Sequence, residues 1–463
     1  MNRYKKLLGN SVVIAIGNLG SKLITFLLVP FYTYTLTKVQ FGTVDLLTTS
    51  VNMLLPIVTL STFDAVFRFA MDKSGNKDVI LTNGIIISLA GSAITALLVP
   101  VLAVIHVSMP IYIYFLLVSS AFVSLLLNFS RAIDQIKTYA FSGILGTVLI
   151  AIANIVLLWW FKTGVQGYII SVILSNGIVI IFLCYMIRIW KRVRFQYAST
   201  NLIKKMMFYS VPLMPNAFSW WVNSSADRYF ILAFVGAGAN GLYAVANKIP
   251  SLLNILNQVF FQSWQMSAVE EFDSDDASTF YSKTFNYFLS LQFIGAAGLL
   301  LMLKPLMKII VSSSYYIAWE YIPFLLMAVI YSSLSSFLGT TYTAAKRTAG
   351  IFLTTLVGAI ANILLGFIFV PWLGIQGASF AGLLSFAIVL GIRLIDTKRF
   401  MPVIIDKKNF ILNHFIISIM IIVLFLSMNF VWEQVVELFL FSLIMVVNRN
   451  LFIEIWHSQK NKK

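Results

Sequence analysis

Runs of about 20 mainly apolar residues recur along the whole chain, and a run of this length is what an α-helix needs to cross the hydrocarbon core of a membrane. Hydrophobic residues make up 59% of the 463 residues and charged residues only 11%, which excludes a soluble domain of this length. We therefore expect an all-α polytopic membrane protein with about 14 transmembrane helices. The approximate limits of the predicted spans are 9–35, 43–69, 79–105, 108–130, 138–161, 166–189, 207–234, 240–268, 280–303, 318–341, 350–370, 375–395, 409–430 and 433–455.

Positive charges are concentrated in every second connection between the predicted spans. Most of the 33 Lys and Arg residues lie at the termini or in connections on the same side as the N-terminus, such as RIWKRVRFQYASTNLIKK and RLIDTKRFMPVIIDKK. Basic residues next to membrane spans favour the cytoplasmic side. We therefore expect both termini in the cytoplasm, and we attribute the net charge of +16 to orientation, not to a nucleic-acid partner.

Part of the first half of the chain recurs in the second half. AIANIVLLWWFKTGVQGYIISVIL begins at residue 151, and AIANILLGFIFVPWLGIQGASFAGLL begins at residue 359. Because both copies start from a cytoplasmic end, we expect two halves in the same orientation, related by an axis along the membrane normal. The predicted organisation is an N-terminal six-helix bundle (1–190), a basic cytoplasmic linker (191–206), a C-terminal six-helix bundle (207–395), and two extra helices with a cytoplasmic tail (396–463).

Residues 210–268 predict two spans in which polar side chains recur on one face. Polar groups inside a membrane face the protein interior or a hydrated cavity, so we interpret these helices as the lining of a polar space. The alternative is that Asp227 and Arg228 form a structural ion pair and that the amides join helices by hydrogen bonds. The first face contains Asn216, Trp220, Asn223 and Asp227, and the second contains Asn247, Ser251, Asn254, Gln258, Gln262 and Gln265.

Charged residues also occur inside other predicted spans. Lys22 shares a helical face with Asn18 and lies too deep in its span to reach the interface easily. Asp64 and Arg68 are four residues apart and can pair on one face. Alternatively, Arg68 only anchors the membrane interface and Lys248 snorkels to the membrane surface.

The charges within the spans predict a candidate site. Four cations against two carboxylates favour an anionic ligand, and a diphosphate is the anion that must cross a membrane with a lipid attached. An antiporter for cationic drugs would instead carry a surplus of buried carboxylates. We assign Asp64 and Asp227 to ion coupling or structural pairing, and we assign to substrate binding Lys22, Arg68, Arg228, Lys248, Asn18, Asn223, Asn254 and Gln258.

The sequence contains no recognisable catalytic or metal-binding motif. A Walker lysine loop, G-x-S-x-G and H-E-x-x-H are absent, and the three histidines are scattered. The single cysteine, Cys184, excludes an intrachain disulfide. We therefore expect a transporter without a cofactor, driven by an ion gradient, a lipid gradient or a partner.

Two long stretches resemble bacterial polysaccharide flippases of the multidrug/oligosaccharidyl-lipid/polysaccharide exporter superfamily. They are SKLITFLLVPFYTYTLTKVQFGTVDLLTTSVNMLLPIVTLSTFDAVFRFA and PLMPNAFSWWVNSSADRYFILAFVGAGANGLYAVANKIP, followed by the GIQGAS turn. The resemblance covers the first twelve predicted spans. It places Arg68 in one family motif (VFRF here), and Asp227 and Arg228 in another (ADRY here).

This resemblance implies two six-helix bundles around a central cavity in a bacterial cytoplasmic membrane. It also implies transfer of undecaprenyl-diphosphate-linked oligosaccharide from the inner to the outer leaflet by alternating access. Flippases for capsule, exopolysaccharide, O-antigen and teichoic-acid chains are alike at this level, so the glycan stays open. The expected partners are the polyprenyl-diphosphate-linked glycan, membrane lipid, H⁺ or Na⁺ as a coupling ion, and the glycan polymerase machinery.

Two other functions are compatible with parts of the sequence. The first is an ion-coupled multidrug antiporter of the same superfamily, which the cationic surplus disfavours. The second is a membrane-embedded polysaccharide polymerase or ligase. That function needs a sizeable outer loop with catalytic basic residues, and the predicted outer connections are short.

Overall fold

The computed structural model describes residues 3–72, 76–104, 109–345 and 347–453, and the secondary structure in these ranges is entirely helical. The chain divides into two compact units, one ending at Trp221 and the other beginning at Val222. The bundle limits and the linker given above stay predictions.

The first unit contains ten α-helices and the start of an eleventh within the described ranges. A π-helix, Ile155–Trp160, and short 3₁₀ turns at Phe195–Tyr197 and Val211–Leu213 connect some of them. The α-helices are α1 (Arg3–Thr35), α2 (Lys38–Val58), α3 (Thr62–Ala70), α4 (Lys77–Ala96), α5 (Leu98–Val104), α6 (Pro110–Ala132), α7 (Ile136–Asn154), α8 (Gly164–Ile187), α9 (Ile189–Arg192), α10 (Thr200–Ser210) and α11 (Met214–Ser225), whose end belongs to the second unit.

The second unit contains ten further α-helices in the described ranges, with a 3₁₀ segment at Ser313–Tyr321. These helices are α12 (Asp227–Phe234), α13 (Ala237–Ala246), α14 (Lys248–Glu270), α15 (Ala277–Leu301), α16 (Leu303–Ile310), α17 (Ile322–Ala344), α18 (Thr348–Leu373), α19 (Ile375–Thr397), α20 (Lys407–Phe425) and α21 (Phe430–Val447).

Eleven helical segments of the described chain are long and apolar enough to cross a membrane, and all eleven coincide with predicted spans. The prediction of an all-α polytopic membrane protein is confirmed. The three other predicted spans are helical as well, as α1, α10 to α12, and α13 with α14. Lys22, Arg228 and Lys248 lie in these three, and charges of this kind lower the mean hydropathy of a helix.

One predicted span, 43–69, consists of two helices. Leu60 and Ser61 separate α2 from α3 with φ angles of 50° and 49°, which are left-handed. A residue other than glycine adopts this conformation at a cost of about 1 kcal/mol or more, so its surroundings must hold it in place. Ser61 is buried, and its N–H donates to the Pro56 carbonyl at 2.8 Å. The helix that carries Asp64 and Arg68 is therefore short and separately oriented.

The internal repeat has the same backbone turn in both copies. Gly164 opens α8 with φ +57°, and Gly374 precedes α19 with φ +58°. A Cβ atom on Gly377, three residues later, would lie 2.2 Å from the Phe369 carbonyl oxygen, and one on the equivalent Gly167 would lie 1.8 Å from the Thr163 hydroxyl oxygen. Glycine is needed at Gly377 because the chain folds back closely on the end of the preceding helix, and a side chain at Gly167 would require the Thr163 side chain to move.

The core of the second unit is rich in aromatic rings and fixes the orientation of α14. Phe260 stacks on Phe288 of α15, and Trp264 stacks on Phe337 of α17, each with ring centroids 4.2 Å apart. The Trp264 indole N–H donates to the Thr340 hydroxyl at 2.6 Å. One face of α14 is thus held against α15 and α17, and the opposite face is left for its polar stripe.

Candidate functional site

Asp227 lies at the centre of a buried polar cluster formed by four helices of the second unit. It is the first residue of α12, and only 6% of it is exposed. The Tyr243 hydroxyl of α13 donates to its Oδ2 at 2.9 Å, and the Asn362 amide of α18 donates to its Oδ1 at 3.2 Å. A Cβ atom on Gly382 of α19 would come within 3.5 Å of Oδ2. Four helices therefore converge on one carboxylate.

Arg228 extends from the same cluster but is only partly buried. Its guanidinium carbon lies 5.7 Å from the centre of the Tyr243 ring, within the range of a cation–π contact. Its Nη1 also donates to the Ser224 carbonyl at 3.4 Å. The Tyr243 side chain thus contacts both neighbours, with its hydroxyl bound to Asp227 and its face turned toward Arg228.

Asn223 is one turn before this cluster and is buried, with 3% of its surface exposed. Its amide packs against α18, where a Cβ atom on Gly358 would lie 2.9 Å from Nδ2. Its Oδ1 has no hydrogen-bond partner in the described chain. The side chain of Asn223 is therefore packed between helices. Its role in substrate binding stays a prediction.

Lys22 and Asn18 lie on a flank of α1 in the first unit. The adjacent face of α1 packs tightly on α7, because a Cβ atom on Gly17 would lie 2.7 Å from Cβ of Ala140. Both polar side chains are half-buried. Within the described ranges Lys22 has neither an ion pair nor a hydrogen bond. Its ammonium group is therefore uncommitted.

Asp64 and Arg68 are placed on α3 as predicted, but they do not form an ion pair in the described structure. Arg68 is exposed, and Asp64 is half-buried. The adjacent Phe67 instead contacts a different cation, with the Arg131 guanidinium 4.6 Å from its ring centre. Both charges of the predicted pair are therefore available for other interactions.

The polar stripe of α14 lies on the face that the aromatic core leaves open. Asn254 and Gln258 are exposed, and Lys248, at the start of the helix, is half-buried. Asn257, which is not part of the stripe, is buried and donates to the Ser333 hydroxyl at 2.6 Å. The helical periodicity therefore correctly distinguished the exposed amides, Asn254 and Gln258, from the buried amide of Asn257. The side chains of Asn216 and Gln262 are outside the described part of the chain.

Sequence reasoning missed Tyr243 and Asn362, the partners of Asp227. A signal for Asn362 existed, since it is the asparagine of the repeated AIANI segment. The equivalent residue in the first copy, Asn154, is also buried and donates to the Tyr32 hydroxyl of α1 at 2.8 Å. The same asparagine thus bonds a phenol in the first half and a carboxylate in the second.

Arg393 is the first residue of the predicted connection RLIDTKRFMPVIIDKK. In the structure it lies within α19, which continues to Thr397. It is buried and donates to the hydroxyls of Thr354 and Thr355 at 2.9 and 3.0 Å, and to the Ser335 carbonyl at 2.8 Å. Within the described part of the chain, the hydrogen-bond acceptors of Arg393 are all neutral, and they join α17, α18 and α19. Burial by neighbouring helices is not visible in the local sequence.

Comparison with known proteins places the chain in context. The family described as "Polysaccharide biosynthesis protein" matches residues 7–264. Protein 1 of the Lsg locus of Haemophilus influenzae is 24% identical over 262 residues, which are 55% of this chain and 63% of that relative. The chain thus spans less than two thirds of the length of that relative.

Solved structures share the fold at low sequence identity. The lipid II flippase MurJ in an inward closed conformation has a TM-score of 0.70 and 16% identity, covering 96% of this chain and 100% of that chain. An outward-facing multidrug resistance MATE family transporter of the MOP superfamily has a TM-score of 0.63 and 14% identity, covering 90% and 96%. A MOP superfamily transporter from Pyrococcus furiosus has a TM-score of 0.62 and 14% identity, covering 86% and 96%.

Proposed function

Because the chain belongs to the polysaccharide biosynthesis protein family, we propose that it is a flippase for a glycan carried on a polyprenyl diphosphate. The molecule moved is an undecaprenyl-diphosphate-linked oligosaccharide, polysaccharide or teichoic-acid precursor. It passes from the inner to the outer leaflet of a bacterial cytoplasmic membrane by alternating access. Both termini are on the cytoplasmic side in this proposal, and the fold shared with a lipid II flippase supports it.

The observation that carries the proposal is the uncommitted ammonium group of Lys22. A lysine inside an apolar helix is costly unless it faces water, a protein interior or a counter-charge. Lys22 is half-buried and has no partner in the described ranges. A diphosphate supplies the missing counter-charge, and each phosphate oxygen accepts a strong charge-assisted hydrogen bond.

The other candidate residues have complementary roles in this proposal. Arg228, and with it Arg68 and Lys248, attract the diphosphate, while the exposed amides Asn254 and Gln258 hydrogen-bond the sugar hydroxyls. Asn18 lies one turn from Lys22 on the same helix and contributes to substrate binding beside it. The polyprenyl chain stays in the lipid.

Energy for transport comes, in this proposal, from a cation gradient of H⁺ or Na⁺. Asp227 is suited to bind the cation because it is a buried carboxylate held by two neutral donors, Tyr243 and Asn362. Asp64, a half-buried carboxylate of the first half, is the second candidate for binding the cation. Contact with the glycan polymerase machinery is part of the same proposal.

Replacing Lys22 by Ala tests the central claim. We expect the variant to stay in the membrane at the wild-type level, to lose export of surface polymer, and to accumulate lipid-linked precursor. Lys22→Arg, which keeps the charge, should retain part of the export. The matched control is Lys205→Ala, since Lys205 is an exposed lysine of α10. Unchanged export by Lys22→Ala would remove Lys22 from the site.

A multidrug antiporter is the second candidate, and the shared fold of MATE transporters favours it. Drug susceptibility distinguishes the two functions. A deletion strain that becomes sensitive to cationic drugs while its surface polymer is intact would support the antiporter. Loss of surface polymer with unchanged drug susceptibility supports the flippase.

A further inference from the structure

The two C-terminal helices, which have no counterpart in the internal repeat, contain a buried charged cluster. Glu433 and Glu437 are one turn apart on α21, on the same face of the helix. Lys304 of α16 donates to Oε2 of Glu433 at 2.7 Å and to the Leu424 carbonyl at 2.8 Å. Its Nζ also lies 4.5 Å from the centre of the Trp319 ring. The lysine is therefore fully occupied by these partners.

Glu437 is the unusual member of this cluster. It is completely buried, and neither carboxyl oxygen has a hydrogen-bond partner in the described chain. Oε1 of Glu433, itself 3% exposed, is also without a partner there. An ionised carboxylate that is buried without a partner costs several kcal/mol, and it avoids this cost by binding a proton or a cation.

The charges around Glu433 and Glu437 do not balance. Lys304 of α16 and Tyr316 of the 3₁₀ segment interact electrostatically with the two glutamates. One ammonium group, already bound to Glu433, cannot neutralise two carboxylates. Protonation of Glu437 would remove its charge and would also give Oε1 of Glu433 a partner. The Glu437 O–H can donate to this oxygen, which lies one turn away.

We propose that Glu437 is a proton-binding site of the C-terminal helix pair, with its proton hydrogen-bonded to Glu433. Glu433 stays ionised and paired with Lys304. Loss of the proton would place two carboxylates beside one lysine in a buried environment, so the packing of α21 depends on the proton being bound. Glu437 lies about 10 Å along α21 from the start of the helix at Phe430.

Infrared spectroscopy of the full-length protein in lipid vesicles tests for the proton. We expect the carboxylic-acid C=O band of a buried, protonated side chain at neutral pH in the wild type. Glu437→Gln should remove one component of this band, and Glu433→Gln should shift that component, because the acceptor of the hydrogen bond changes. The matched control is Glu271→Gln, since Glu271 is exposed and its substitution leaves the band unchanged. Absence of the band in the wild type, or a band of unchanged intensity in Glu437→Gln, would overturn the proposal.

A pH series of unfolding midpoints gives an independent readout. At neutral pH the folded state holds a proton on Glu437 that the unfolded chain has already released. The stability that Glu437 contributes is therefore present at low pH and is lost as the pH rises. The midpoint should therefore fall with rising pH in the wild type and in Glu271→Gln, and it should fall less in Glu437→Gln. Parallel curves for Glu437→Gln and the wild type would contradict proton binding. Neither readout depends on which molecule the protein transports.

Discussion

Removing the Tyr243 hydroxyl tests how Asp227 is held. Tyr243→Phe deletes the 2.9 Å hydrogen bond to Oδ2 and leaves the aromatic face beside Arg228 in place. The Asn362 amide still donates to Oδ1, so the carboxylate loses one of its two neutral donors. The substitution therefore isolates one contact.

Two magnitudes bracket the expected loss of stability. Hydrogen bonds between side chains in membrane proteins contribute about 0.6 kcal/mol on average, with a maximum near 1.7. Hydrogen bonds to charged groups in soluble proteins contribute about 1.5 to 3 kcal/mol. Because the carboxyl group of Asp227 is buried and accepts this bond, we expect a loss where the two ranges meet, about 1.5 kcal/mol, roughly a tenfold change in the unfolding equilibrium.

Equilibrium unfolding by SDS in mixed micelles measures this loss. The control Tyr185→Phe changes an exposed tyrosine and should be neutral. Tyr243→Leu additionally removes the buried ring beneath Arg228 and should cost clearly more than Tyr243→Phe, because it loses both the cation–π contact and buried packing. A double-mutant cycle with Asp227→Asn should give a coupling energy of about 1 to 2 kcal/mol. A coupling energy near zero would refute the direct bond between Tyr243 and Asp227.

Two further predictions concern the repeated turn and the orientation of the chain. Gly377→Ala should destabilise the protein by about 1 to 3 kcal/mol, because a Cβ atom there would lie 2.2 Å from the Phe369 carbonyl oxygen. Gly391→Ala, in the same helix, has nothing within 4 Å and should not destabilise it; equal effects in unfolding assays would contradict the close approach. For orientation, alkaline phosphatase fused after Lys162 should be active and fused after Arg194 inactive, since the first connection is predicted outside and the second inside. The reverse pattern of activity would invert the proposed topology.

The membrane-spanning architecture could be predicted from the sequence because helix length and apolar composition are local properties. The break between α2 and α3 could not, since Leu60 and Ser61 are not typical of left-handed backbone and are held there by surrounding packing. Periodicity correctly separated Asn254 and Gln258 from the buried Asn257, because all three lie on one continuous helix.

The sequence predicts the candidate site less well than the helices, because the partners of its residues are distant in sequence. Asp227 and Arg228 are adjacent, which suggests an ion pair, but Asp227 accepts hydrogen bonds from residues 16 and 135 positions away. Asp64 and Arg68 have the spacing of a helical ion pair, and the described structure shows none between them. Spacing predicts which side chains share a face. It does not predict which other helix covers that face.

The asparagine of the repeated segment has different neighbours in the two halves. Asn154 bonds a phenol, which stays neutral near neutral pH, whereas Asn362 bonds a carboxylate. At this pair of equivalent asparagines, the hydrogen bond of the later copy ends on an ionisable carboxyl group, and that of the earlier copy ends on a phenol.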